Sequence, residues 1–118
     1  MRSKAIIALL LMVALLPLDA LAARDEAYGV VVNVVDGDTV DINMEKGDPR
    51  IMGSIERVRM ADVDSPEIST SEGLLAKDLT SAVLLNKRAF LDIDDASGNG
   101  RDSYGRLICV VYLSGVYG

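Results

Sequence analysis

Three short stretches of the chain concentrate groups able to hold a metal or to use one. "VVDGDT" (34–39) sets Asp36 and Asp38 on either side of a glycine. "RVRMADVDSPE" (57–67) carries two arginines and then Asp64, Ser65, Pro66 and Glu67. "DSYGR" (102–106) places Tyr104 and Arg106 where a loop enters an apolar run. Taken alone, Asp36-Gly37 predicts a two-residue hairpin loop, because glycine accepts positive φ. The turn and a ligand role coexist, since a tight loop is also what would aim Asp38. Pro66 fixes its own φ and biases Ser65 away from helix, so the carboxylates of Asp64 and Glu67 leave a rigid corner. Histidine is absent, which removes imidazole acid–base chemistry and argues against zinc. Any metal would rest on oxygen ligands, which points to calcium or magnesium, and calcium favours such a mixture of carboxylates, carbonyls and waters.

These groups need a scaffold, and the hydrophobic pattern suggests one. "YGVVVNVV" (28–35) is β-branched, and "DTVDINM" (38–44) alternates Val40, Ile42 and Met44 with polar residues. A third strand is expected over about 54–63. The segment from about 72 to 88 reads as the one helix, with Leu75, Leu79, Ala82 and Val83 on its apolar face. A serine-rich start would cap it, and Lys87-Arg88 suit its C-terminal end. "AFLDID" (89–94) and 106–113 read as strands four and five. Three strands, a helix and two strands is the order of a small five-stranded Greek-key barrel.

The whole chain bounds these readings. It has 118 residues and a net charge of −6, which argues against coating nucleic acid through bulk positive charge. A small cationic site remains compatible with it. Arg2 and Lys4 precede "AIIALLLMVALL" (5–16), followed by Pro17 and the small residues Ala20 and Ala22. That order predicts a cleaved signal peptide over 1–22, an extracytoplasmic domain over 23–118, and no stable membrane insertion afterwards. As a helix the run would reach about 18 Å, short of a hydrocarbon core of about 30 Å. The single cysteine, Cys109, forbids an internal disulfide and reads as a buried, inert thiol.

Arg57 reads as an ordinary solvated strand residue and Asp62 as a surface charge. Asp92, Asp94, Asp95 and Asp102 read as a solvated acidic loop, with a weak calcium site as the alternative. Tyr112 and Tyr117 read as packing or edge residues rather than base-stacking platforms.

"DGDT", then "RxxxxDSPE", then "DxYGR", in that order and spacing, resemble the staphylococcal nuclease (thermonuclease-like) family from about residue 28 to the end. The resemblance implies an OB-fold barrel, mainly β within the α+β class, with one helix between strands three and four. It also implies that helices following the fifth strand in that family are missing here, since the sequence stops at "LSGVYG" (113–118). By position, Asp38 and Asp64 would bind Ca²⁺ through carboxylates and Ser65 through its carbonyl, with Asp36 close by through water. Glu67 would orient or deprotonate the attacking water. Arg59 and Arg106 would grip the phosphate, and Tyr104 would lie beside the nucleotide. The implied protein is a secreted, monomeric, calcium-dependent nuclease cleaving DNA and RNA to 3′-phosphorylated ends. The alternative is a catalytically inactive OB-fold module that binds nucleic acid or protein.

Overall fold

A computed structural model of the chain describes residues 25–61 and 63–115. The segment read as a signal peptide, Asp62 and Tyr117 lie outside the described residues. Five strands and one helix follow in the order β1 (Ala27–Asp36), β2 (Thr39–Gly47), β3 (Ile55–Met60), α1 (Ser71–Leu84), β4 (Arg88–Ile93) and β5 (Leu107–Tyr112). The strands close into a barrel in the spatial order β1-β2-β3-β5-β4. All neighbours are antiparallel except β3 and β5, which run parallel with Val58 opposite Leu107 and Met60 opposite Cys109. A closed five-stranded barrel with a helix between β3 and β4 is the OB-fold.

Alternation fills the barrel. Val31, Val40, Ile42, Val58, Leu91 and Leu107 are fully enclosed, and Cys109 is buried among them. Burial of each such side chain contributes about 1.5–3 kcal/mol relative to exposure. Desolvation is the main reason that the Cys109 thiol is pushed far above its ordinary value, so it is inert. Tyr112 is buried as well, which fits packing rather than stacking on a base.

The helix departs from its predicted form in register and in face. It ends at Leu84, with Leu85 as its cap and Asn86 at φ 65°. Asparagine tolerates this left-handed conformation, which stops the helix. Lys87 therefore lies beyond the helix and Arg88 opens β4. The exit is stitched to β1, because Asn86 N–H donates to the Val31 carbonyl and Val31 N–H to that of Lys87. The N-cap is Thr70, whose hydroxyl accepts from Gly73 N–H at 3.0 Å, rather than a serine.

The buried face is Gly73, Ala76, Thr80 and Leu84. Leu75 is exposed like Leu74, and Ala82 is exposed too. Small residues occupy this face because the helix lies directly against the β1–β2 hairpin and the 64–67 corner. A Cβ on Gly73 would collide with the Glu67 carbonyl. The third strand also stops earlier than expected, at Met60, after which Ala61 N–H still bonds the Cys109 carbonyl.

Candidate active site at the hairpin tip

The β1–β2 loop consists of Gly37 and Asp38, with Asp36 paired to Thr39 across it. This is one residue later than the Asp36-Gly37 loop predicted from sequence. Gly37 is not in the positive-φ region, so its requirement here is space. A Cβ on Gly37 would collide with the Ser65 hydroxyl and meet the Ala76 methyl at 2.8 Å. The buried Thr80 hydroxyl donates to the Gly37 carbonyl at 2.9 Å. The hairpin tip, the proline corner and the helix are thus locked together with no room for a side chain at residue 37.

This contact carries Asp38 towards Asp64, and Arg59 joins them. One Arg59 nitrogen, Nη2, lies 3.1 Å from Asp64 Oδ1 and 3.5 Å from Asp38 Oδ2. Nη1 of the same guanidinium donates to the carbonyls of Met60 and Val63. Register explains the approach, because Thr39, next to Asp38, stands opposite Arg59 on β3. The Asp64 carboxylate is otherwise fully exposed to solvent, at 101%, whereas Asp38 is buried.

Asp36 and Asp38 form a carboxyl pair. The Asp38 amide donates to Asp36 Oδ1 at 3.1 Å, and the Thr39 hydroxyl donates to Asp38 Oδ1 at 2.9 Å. Burial first, then the bond to Asp36 and its negative charge, push Asp38 up to about 6. Asp36 goes the other way. Burial opposes its ionisation, but hydrogen bonds from Asp38 and Thr39 and the charge of Arg106 hold it below the ordinary carboxyl range.

Beside this pair opens a cleft of about 280 Å³ lined by Val35, Asp36, Thr39, Arg57, Tyr104 and Arg106. Arg106 is held by the acidic residue of its own motif. Asp102 Oδ2 accepts from Arg106 Nε at 2.7 Å, and Asp102 Oδ1 accepts from the amides of Tyr104 and Arg106. The guanidinium lies 5.2 Å from the centre of the Tyr104 ring, which is itself 84% exposed. The loop carrying these residues is anchored by Arg101, which forms a nearly buried pair with Glu56 on β3 at 2.8 Å. Arg101 also donates to the carbonyls of Arg50 and Gly105.

The residues singled out from sequence therefore divide into three groups. Asp38, Arg59 and Asp64 share an ionic contact. Ser65 seats against Gly37, with its hydroxyl 3.3 Å from the Pro66 carbonyl. Tyr104 and Arg106 share the adjoining cleft with Asp36. Glu67 stands apart. It is exposed, its carbonyl accepts from the Thr70 amide and hydroxyl, and its carboxylate has no hydrogen bond or ion pair among the described residues.

Sequence reasoning missed Thr39 and Thr80, which fix the tip, and Arg101 and Glu56, which fix the loop. The cross-strand position of Thr39 and the arginine after "SGNG" were the available signals. It also misjudged two members of the acidic loop, although Asp95 is exposed as expected. Asp102 is tied to Arg106, and burial together with Glu26 pushes Asp92 up to about 6, so neither behaves as a solvated charge.

The Asp38–Asp64 gap already receives positive charge, because both carboxylates reach the same Arg59 nitrogen. Among the described residues no three His, Cys, Asp or Glu side chains gather as a metal cluster. An ion there would have two carboxylates and would need carbonyls and waters to complete its shell, which suits calcium.

The chain is 34% identical over 96 residues to a thermonuclease of Staphylococcus intermedius, covering 76% of this chain and 51% of that one. It is 29% identical over 89 residues to Protein ParB of Escherichia coli, covering 75% of this chain and 44% of that one. No protein-family model matches. The chain spans about half the length of the curated relatives it matches, and its similarity to the thermonuclease is compatible with the OB-fold barrel.

Proposed function

We propose that the chain belongs to the staphylococcal nuclease family and is an exported, calcium-dependent hydrolase of DNA and RNA phosphodiesters. The observation that carries this reading is the convergence of three distant motifs at one end of the barrel. Asp38, Arg59 and Asp64 meet there, and Arg106 faces Asp36 in the cleft alongside. The likeness to a thermonuclease supports it independently.

In this reading Asp38 and Asp64 hold the ion with the Ser65 carbonyl. Bound calcium supplies positive charge that offsets the growing negative charge on the phosphate oxygens. Arg59 and Arg106 present planar guanidiniums that match a phosphate by paired N–H donation. Glu67, at the solvent edge of the corner, orients the attacking water. The water oxygen bonds to phosphorus in line with the 5′ oxygen, the P–O5′ bond breaks, and a 3′ phosphate remains. The water's protons pass to Glu67 or solvent, and the departing 5′ oxygen is protonated from solvent. The Tyr104 ring packs beside the nucleotide.

The test uses the purified full chain with single-stranded DNA, with calcium and with chelator. Fragments with 3′ phosphates should appear only with calcium, and Glu67→Ala and Arg106→Ala should slow their appearance by about 10²–10³. Bound but intact DNA, from a folded protein with calcium present, would establish the binding-module alternative instead.

A further inference from the structure

We infer that Arg57 is a second phosphate-binding residue, which takes the phosphate neighbouring the scissile one on the same strand of substrate. This rests on the nucleic-acid substrate proposed above, and it reverses the sequence reading of Arg57 as an ordinary solvated residue.

Strand geometry gives the first argument. The burial of β3 alternates, with Glu56, Val58 and Met60 inward and Arg57 and Arg59 on the outer face. Two residues along a strand span roughly 6.6 Å. That is the scale of one nucleotide step in an extended single strand. A strand whose scissile phosphate meets Arg59 therefore brings its next phosphate level with Arg57.

The second argument is how the side chain is held. Arg57 Nε donates to Asp41 Oδ1 at 2.8 Å and Nη2 donates to Asp41 Oδ2 at 3.1 Å. Asp41 stands directly opposite on β2, and Asn33 on β1 steadies it through a 3.1 Å bond. This fork fixes the guanidinium plane and occupies one edge. Nη1 has no partner among the described residues. Arg106 is held in the same manner, through Nε by Asp102. Each arginine is thus clamped at one edge by a carboxylate and open at another, and both line the same cleft with Tyr104. A residue there only for strand pairing would have no reason to share a cleft with the phosphate-gripping arginine.

The third argument is electrostatic contrast. The chain carries a net charge of −6, yet two of the six residues lining this cleft are arginines and one is acidic. A polyanion would be repelled by most of the surface and received here, so each cationic contact in the cleft counts.

The test compares wild type with Arg57→Gln, which keeps the stem, and Arg57→Lys, which keeps the charge but loses the fork. Melting curves verify that each variant folds. Substrates are a dinucleotide with one phosphodiester and a single-stranded tetranucleotide. Arg57→Gln should lower kcat/KM on the tetranucleotide by about tenfold through KM, the worth of one charged contact. The loss on the dinucleotide should be several times smaller, and Arg57→Lys should fall between. Tetranucleotide binding, read by fluorescence anisotropy against salt, should lose about 0.7 from its logarithmic slope in Arg57→Gln, as expected for one phosphate contact on a single strand.

Equal losses on both substrates, carried by kcat, would place Arg57 at the scissile phosphate and overturn the assignment. So would no change in either from a folded variant. If wild type binds the tetranucleotide without cleaving it, the nuclease reading fails while the salt slope still decides the Arg57 assignment. If wild type does not bind it, both fail.

Discussion

Two arginines, Arg50 and Arg59, sit among carboxylates at almost the same exposure, 21% and 23%, yet their surroundings differ in kind. Arg50 is enclosed by Glu26, Asp48 and Asp95, all reached by direct hydrogen bonds. Asp48 turns back on it through both a backbone and a side-chain bond. Every nitrogen of that guanidinium is occupied, and its pKa is driven further upward chiefly by Asp48. Arg59 is held through Nη1 by the backbone carbonyls of Met60 and Val63. Its Nη2 meets a buried carboxylate at a long 3.5 Å and a fully exposed one that, among the described residues, only it engages. The first arrangement is a rivet that ties the β2–β3 connection to β1 and the loop after β4. The second leaves the Asp64 carboxylate open to solvent. The same residue types yield structure where donors and acceptors are matched, and chemistry where they are left partly unmatched.

The sharpest way to break this contrast is to exchange the expected phenotypes. Arg106→Ala, on the open side, should lower kcat by about 10²–10³ with little change in Tm, by analogy with loss of one transition-state donor. Steady-state kinetics beside a melting curve checks it. Arg50→Ala should do the reverse, costing about 2 kcal/mol, or roughly 10 °C in Tm, while hydrolysis by the remaining folded protein persists. If Arg50→Ala abolished hydrolysis without destabilising the fold, the division into rivet and site would be wrong.

Protonation offers a finer comparison, since each region holds one carboxyl raised to about 6, Asp38 by burial and Asp36, Asp92 by burial and Glu26. A raised value means that the folded state binds the proton more tightly than the unfolded chain. The stability that each contributes is therefore complete below about pH 4 and is lost as pH rises through about 6. Asp92→Asn should flatten that part of the stability curve and melt higher than wild type at pH 7, with hydrolysis retained. Asp38→Asn should flatten it similarly but lose calcium-dependent hydrolysis. Denaturant melts across pH 4–8 read both. The smallest effect belongs to Asp95→Ala. Asp95 is 81% exposed and meets Arg50 at 2.9 Å, and such surface pairs contribute about 0–1 kcal/mol, falling with salt.

How far the sequence revealed this arrangement depended on the signal that each element carries. The β1–β2 hairpin was legible because period-two alternation and an Asp-Gly pair are local, although the loop itself lies one residue later. The motif residues were legible because their types and order are distinctive. The helix face was not. Choosing Leu75, Leu79, Ala82 and Val83 assumes that large apolar residues face inward. Val83 does pack against the core. Where the helix meets the backbone turn, however, only the small Gly73, Ala76 and Thr80 fit, with Leu84 buried at its end. The helix end was legible in principle, since Asn86 is the residue that tolerates its φ of 65°. Arg57 is exposed as the sequence suggested, but its place in a cleft with Tyr104 and Arg106, more than forty positions away in the chain, was not legible. No local pattern encodes such a meeting.

The place of β5 between β3 and β4 has a consequence for how the molecule comes into being. The earlier strands form a ribbon with a gap that only the final strand can fill, and its partner β3 is separated from it by the whole helix and β4. Such distant pairing is slow relative to hairpin closure. Arg106 immediately precedes β5, so the event that seals the cylinder is also the event that delivers the last cation. Until that strand docks, Arg106 has no fixed place beside Asp36, so barrel and cleft are completed in one step.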